Sequence, residues 1–441
     1  MAFLFSVHGT KRRTVRCQAE ASKRVVVTGM GVVSPLGHTP EEFHENLVSG
    51  VSGVKSLEEL FPGDFDDFPT RIAAKITDFK AGEYLDPKKA RRLDPVHAYA
   101  IVAAKKALKQ AGLYADDLKD FDLTRFGVIV GSAMGGMKFL EDNISTLGNR
   151  GVKRVSPFTI PYYLSNMSAG MIAMEPELGF RGPNYSINTA CATSNYCFIN
   201  AAEHIRSGQS DVIIAGGAEA PITAMGMAGF IACKALSSRN DEPQRASRPW
   251  DKQRDGFVMG EGAGILVLES LDHAKDRGAT IYAEYLGGGV SCDAYDLTSP
   301  RTDGRDVILC MKSALDDAGI TADKVDLVNA HGTSTPVGDL CEVSAINSVF
   351  GEYKDHVKIH STKSMTGHSL GAAGALEGIA MLMAIQTGQV HPTINHEEPE
   401  EGVEFNVVPN EAINMDVKVG LSNSFGFGGH NSSVIFGQYK E

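Results

Sequence analysis

The chain has 441 residues, of which 43% are hydrophobic and 22% charged, and it carries a formal charge of −12. These values exclude a disordered or fibrous protein, and the acidic balance argues against a nucleic-acid binder, which would normally be basic. The longest unbroken apolar runs, such as 378–385, are too short to span a bilayer, so no membrane insertion is expected.

The first 19 residues lack Asp and Glu but contain Lys11, Arg12, Arg13 and Arg16, so residues 1–22 read as an organelle transit segment and the folded body as starting near Lys23. Short β-branched runs then alternate with Ala-rich stretches. Strands are predicted at Arg24–Thr28, Gly127–Gly131, Val212–Ala215, Ile265–Leu268, Ile281–Leu286, Leu327–Ala330, Ile359–Ser361 and Val434–Phe436. Helices are predicted at 96–111, 192–207, 306–318 and 371–387, and the alternation favours α/β layers. The stretch Lys105-Lys-Ala-Leu-Lys-Gln-Ala-Gly112-Leu-Tyr-Ala-Asp116 parallels Lys312-Ser-Ala-Leu-Asp-Asp-Ala-Gly319-Ile-Thr-Ala-Asp323, each with a glycine where a helix C-cap is expected. The pairing suggests two similar halves, 23–275 and 276–441, with a seam near 271–279. The alternative is a chance likeness of two amphipathic helix ends.

Seven scattered cysteines, an odd number with no C-x-x-C pair, fit free thiols in a reducing compartment. In Ser186-Ile-Asn-Thr-Ala-Cys191-Ala-Thr-Ser, an extended stretch runs into a helix, which puts Cys191 at a helix N-terminus where a thiolate is favoured. A buried core thiol fits the position equally well. His331 opens His-Gly-Thr-Ser-Thr-Pro336 and His368 lies in Lys363-Ser-Met-Thr-Gly-His-Ser-Leu-Gly371, both among small residues that let a substrate approach. Neither has metal-site spacing, so no metal is expected. Ser424-Phe-Gly-Phe-Gly-Gly-His430 reads either as a tight turn between strands or as a source of backbone donors for an oxyanion. Lys88, Lys89, Arg91 and Arg92 form a cationic cluster in an acidic chain. Gly29 and Gly31 begin a dinucleotide fingerprint that fails at Ser34. Gly367-His-Ser369-Leu-Gly371 matches the nucleophile elbow of serine hydrolases and acyl transferases, although 363–366 intervenes after the strand that should precede it. A serine-dependent acyl or malonyl transferase or hydrolase using Ser369 therefore stands as the alternative function.

Taken together, Gly182-Pro-Asn-Tyr-Ser, Thr189-Ala-Cys-Ala-Thr-Ser, Ala246-Ser-Arg-Pro-Trp-Asp, Arg254-Asp-Gly-Phe-Val-Met-Gly-Glu-Gly-Ala-Gly, His331-Gly-Thr-Ser-Thr-Pro, Lys363-Ser-Met-Thr-Gly-His and Asn423-Ser-Phe-Gly-Phe-Gly-Gly resemble, in order, the β-ketoacyl-acyl-carrier-protein synthases of the elongating class. His430-Asn431 looks more like plastid members than bacterial ones. The resemblance implies a thiolase-like fold: two duplicated α/β halves in five layers, α-β-α-β-α, usually as a homodimer. It implies that Cys191 accepts the acyl group and that His331 and His368 assist decarboxylation of malonyl-carrier protein. Lys363 would organise the site, and Phe427 would share the oxyanion hole with the Cys191 amide and gate the acyl pocket. Asp339 and Glu342 are expected to support the site, Thr333 and Thr335 to line the phosphopantetheine arm, and Phe230 and Ile231 to line the acyl pocket. Lys88, Arg91 and Arg92 would dock an acidic acyl carrier protein. No cofactor is implied beyond the phosphopantetheine that the carrier brings, and the expected location is the plastid, with the mitochondrial matrix or cytoplasm as alternatives.

Overall fold

The computed structural model describes residues 22–441 except Asp64, so the leader assigned to 1–22 lies almost wholly outside the described residues. Eleven strands form one mixed sheet. In chain order these are β1 (Val25–Val33), β2 (Phe126–Gly131), β3 (Asn184–Tyr185), β4 (Val212–Glu219), β5 (Gly262–Ser270), β6 (Ala283–Cys292), β7 (Leu327–Asn329), β8 (Lys358–His360), β9 (Asn406–Val407), β10 (Val419–Gly426) and β11 (His430–Gly437). The spatial order is β9-β8-β7-β10-β11-β6-β1-β5-β4-β2-β3.

That order contains one pattern twice. In the first half β1 pairs antiparallel with β5, β5 antiparallel with β4, and β4, β2 and β3 run parallel. In the second half β6 pairs antiparallel with β11, β11 antiparallel with β10, and β10, β7 and β8 run parallel. Each half thus places its first strand beside its last, then the penultimate, the second and the third. A short β1–β6 pairing, with Val25 opposite Tyr285, joins the halves at their edges.

The helices complete the layers. An outer helix α1 (Pro95–Ala111) covers β1 and β5, and α4 (Arg305–Ala318) covers β6 and β11. Each ends at a left-handed glycine, Gly112 (φ 67°) and Gly319 (φ 64°), which releases the chain without a Cβ clash. Between the two halves of the sheet lie α3 (Thr193–Arg206) and α6 (Ala373–Thr387), which touch each other and strands of both halves. Remaining helices include α2 (Met137–Arg150) and α5 (Pro336–Phe350). The architecture is the five-layered α-β-α-β-α arrangement the sequence resemblance implies. By composition alone, Leu370–Thr387 is apolar enough to cross a membrane, but it is almost entirely buried as the central layer. Gly29 and Gly31 serve packing: a Cβ on either would strike the carbonyl of Ala107 or Ala103 in α1.

Candidate active site

The two central helices begin alike. A 3-10 turn Ala190–Ala192 precedes α3 and a second, Leu370–Ala372, precedes α6. Each opens on a non-glycine residue in the left-handed region, Ala190 (φ 50°) and Leu370 (φ 45°), a conformation that costs about 1–2 kcal/mol and is held by its surroundings. Cys191 follows the first strained residue; Gly371 follows the second. The thiol therefore sits at one of two matched elbows.

A cavity of about 340 Å³ brings together Cys191, His331, His368, Phe427, Thr333 and Thr335. The N–H groups of Phe427 and of Cys191 itself face the sulfur. Phe427 is presented by the β10–β11 hairpin, whose turn needs two successive left-handed positions, Gly428 (φ 85°) and Gly429 (φ 76°). The glycine-dense segment is a tight turn between strands, and it brings the Phe427 amide to the thiol. A Cβ on Gly426 would lie 3.1 Å from the Cys191 nitrogen, so glycine allows the strand end to lie against the cysteine turn.

The expectation of a resting thiolate is overturned. Cys191 is buried, and burial pushes its thiol up to about 12, against the opposing pull of Lys363 and the two amides. Desolvation outweighs the helix N-terminus here.

His331 and His368 meet edge to face, with ring centroids 5.4 Å apart. Burial first, then the nearby Lys363, hold both well below the ordinary imidazole range, so both are neutral. The Nζ of Lys363 lies 3.4 Å from His331 Nδ1. Lys363 is a donor, so Nδ1 accepts and the His331 proton resides on Nε2. Lys363 itself is held by a buried ion pair with Glu377 of α6. His368 Nδ1 has no hydrogen-bond partner among the described residues.

Glu342 of α5 accepts the backbone N–H of His331 (2.8 Å) and of Gly332 (2.7 Å), as well as Asn423 Nδ2 (3.2 Å). It thereby pins the loop that carries His331, and burial pushes its carboxyl up to about 7. Asp339 accepts from the Trp250 N–H (2.9 Å) and faces Arg254, with burial raising it to about 6. Thr333 and Thr335 line the cavity with their hydroxyls 3.0 Å apart. Phe230 lines it too, beside the Phe427 ring at 6.3 Å between centroids. Ile231 is not on its wall but packs on the apolar cluster that contains Cys191, Leu370 and Phe257. Lys88, Arg91 and Arg92 are exposed on and beside the short helix Pro87–Ala90 and border a separate depression with Phe158 and Tyr162, whereas Lys89 is paired with Glu175.

Ser369 does not fit the elbow. Between β8 and Ser369 lies the short helix Lys363–Thr366, and Ser369 is buried off the cavity wall. A nucleophile elbow requires a strand leading straight into an exposed serine, so the alternative based on Ser369 is withdrawn. Sequence reading missed Glu377 and Glu219; a lone carboxylate in an otherwise apolar helix was the available signal for the first.

Comparison with known proteins gives one answer. Residues 22–274 match the family model described as beta-ketoacyl synthase, N-terminal domain, and residues 282–397 match its C-terminal domain. The chain is 52% identical to 3-oxoacyl-[acyl-carrier-protein] synthase I, chloroplastic, of Arabidopsis thaliana, over 99% of this chain and 90% of the relative. It is also 52% identical to 3-oxoacyl-[acyl-carrier-protein] synthase II, chloroplastic, of the same plant, over 95% and 76%. Among solved structures it resembles a beta-ketoacyl synthase from Burkholderia phymatum (35% identity, TM-score 0.86, 95% of this chain and 100% of that one). It also resembles a type II polyketide ketosynthase solved in complex with its acyl-carrier protein (33% identity, TM-score 0.86, 95% and 100%).

Proposed function

The chain belongs to the β-ketoacyl synthase family, and from that premise we propose that Cys191 is the nucleophile that carries the growing acyl chain, with His331 and His368 as the decarboxylation pair. The enzyme condenses acyl and malonyl units in fatty acid chain elongation, and it works in the plastid, the compartment given in the names of its plant relatives. The observation that carries the residue assignment is convergence: the Cys191 thiol, with the N–H groups of Cys191 and Phe427 facing it, shares a single cavity with the two neutral imidazoles of His331 and His368.

The chemistry follows from those groups. Cys191 takes the acyl group from the carrier's thioester, and the thiol proton leaves on the released carrier thiol, so this half-reaction is proton-neutral. Malonyl-carrier protein then loses carbon dioxide, and negative charge develops on the thioester oxygen. His331 Nε2–H is oriented as a donor to that oxygen because Lys363 occupies Nδ1. His368 is the second donor. Preorganised donors of this kind are worth about 3–4 kcal/mol each in a water-poor site. The carbanion attacks the acyl-Cys191 carbonyl, whose oxygen rests on the amides of Cys191 and Phe427. Expulsion of the Cys191 thiolate releases the β-ketoacyl product, and uptake of one proton restores the thiol that burial favours. In reaction class the enzyme is an acyltransferase. The steps call for no redox cofactor, because electron balance closes on these groups; phosphopantetheine arrives on the carrier, along Thr333 and Thr335.

The partner is an acyl carrier protein, and exposed Lys88, Arg91 and Arg92 are its docking site, a surface suited to an acidic protein. Two copies form the working assembly; support comes from the exposed apolar side chains Ile144, Leu147, Ile160 and Met174, and sedimentation tests it. For the mechanism, Cys191→Ser is expected to abolish acyl-enzyme formation and elongation. His368→Ala is expected to form acyl-Cys191 but to release no carbon dioxide from malonyl-carrier protein. Full elongation by either variant overturns the assignment.

A further inference from the structure

Glu219, the last residue of β4, is fully buried, and no cation pairs with it among the described residues. Its carboxylate instead accepts four hydrogen bonds: from Ser132 Oγ (2.8 Å), Ala133 N–H (2.7 Å), Met134 N–H (3.1 Å) and Gly371 N–H (3.1 Å). Burying an unpaired carboxylate is costly, and hydrogen bonds from several fixed amides are what make it tolerable. The donors come from two turns far apart in the chain. Ser132–Met134 follows β2; Gly371 belongs to the elbow that follows His368. Gly371 is required for the approach, since a Cβ there would lie 2.7 Å from the Ala133 nitrogen and 2.7 Å from Glu219 Oε2.

What the two turns present is apolar. Leu370 belongs to the cluster that contains Cys191, and Ala133 and Met134 pack against it. We propose that Glu219 is a positioning residue for chain elongation: its carboxylate clamps the Met134 turn to the Leu370 turn and so fixes the apolar wall against which the acyl chain on Cys191 lies. The inference rests on the reading that Cys191 carries that chain. Glu219 touches none of the reacting atoms. Its loss therefore acts on chains long enough to reach the wall, and much less on short ones or on malonyl decarboxylation.

Glu219→Gln keeps the shape but puts an amide N–H₂ against at least one backbone N–H whichever way it is turned. Glu219→Asp keeps the acceptors but retracts them, and it serves if the glutamine variant fails to fold. Both are assayed beside the wild type with carrier protein bearing a butyryl or a myristoyl chain, by intact mass for acyl-Cys191, by kcat and KM for elongation, and by carbon dioxide release from malonyl-carrier protein. Expected for Glu219→Gln is a rise of about tenfold in KM for the myristoyl substrate, as for one badly met buried donor. The butyryl KM and decarboxylation are expected to stay within about threefold of wild type, with Glu219→Asp recovering part of the myristoyl loss. An equal fall for both chains and for decarboxylation, in step with a lowered melting temperature, would make Glu219 a purely structural residue and overturn the proposal, as would no change at all. A wild type that never forms acyl-Cys191 would sink the functional reading itself, an outcome separate from either.

Discussion

Gly332→Ala puts the placement of His331 to a direct test. Gly332 has φ of +34° and follows the imidazole-bearing residue. A Cβ there would lie 2.8 Å from Ser361 Cβ and 3.2 Å from the Trp250 ring. Carbon atoms in contact prefer about 3.5–4 Å, so the shortfall is about 1 Å. Neither neighbour can yield easily: both are fully buried, and Ser361 is fixed by its hydroxyl on the Gly332 carbonyl (2.8 Å) and its N–H on Thr393 Oγ1 (2.9 Å). The loop must move instead, and it carries His331. The left-handed backbone adds about 1–2 kcal/mol and overpacking about 1–3 kcal/mol, so stability should fall by about 2–5 kcal/mol. A misplacement of about 1 Å costs about a hundredfold in rate where geometry controls catalysis. We expect malonyl decarboxylation and elongation to fall by about that factor, with acylation of Cys191 changed by less than about threefold, because the thiol and its amides lie on other segments. Decarboxylation at the wild-type rate, in a protein shown by urea unfolding to be destabilised, would refute the claim that this loop sets the position of the imidazole.

Three more tests bear on the charges. Alkylation of Cys191 by iodoacetamide, followed by peptide mass spectrometry to separate it from exposed Cys233 and Cys292, should rise about tenfold per pH unit from neutral to pH 9, because the thiol titrates at about 12; a plateau near pH 7 would contradict burial as the governing effect. His360, stacked on His391 at 3.9 Å, is lowered to about 4 by burial. Since its folded value lies below the unfolded one of 6.5, it contributes stability above pH 6.5 that is lost as pH falls toward 4. His360→Asn can retain the donor to the His391 carbonyl, so its unfolding free energy should lose about 2 kcal/mol less than wild type between pH 7 and pH 5; equal slopes would count against this. Reversing Lys88, Arg91 and Arg92 to Glu should raise KM for carrier-bound substrates about tenfold at low salt, with little effect on acyl-pantetheine; unchanged kinetics would remove the patch from the docking surface.

Much of the frame was legible in the residues. The four predicted helices form within about two residues of their expected limits, because their apolar spacing and the glycines at 112 and 319 are local signals. β10 escaped notice: Val419-Gly-Leu-Ser-Asn-Ser-Phe-Gly426 is rich in Ser, Asn and Gly, and its extended form is imposed by pairing with β11 and β7. The loop motifs singled out Cys191, His331, His368 and Phe427, and the fold brings all four to one cavity. Their electrostatics were not legible, because desolvation depends on what the fold stacks over a residue. The same holds for Glu219, whose four donors come from positions 132–134 and 371 and leave no pattern along the chain.

Cys191 comes from the first half and both imidazoles from the second, so under the proposed mechanism turnover is in effect an encounter between two similar modules held at fixed separation by one polypeptide. Severing the chain in the 277–282 connector should leave two fragments, each chemically inert alone. Mixing them would restore activity only if α3 and α6 came together again between the two halves of the sheet, which makes complementation a sensitive gauge of how strongly the central layer binds the two modules to each other.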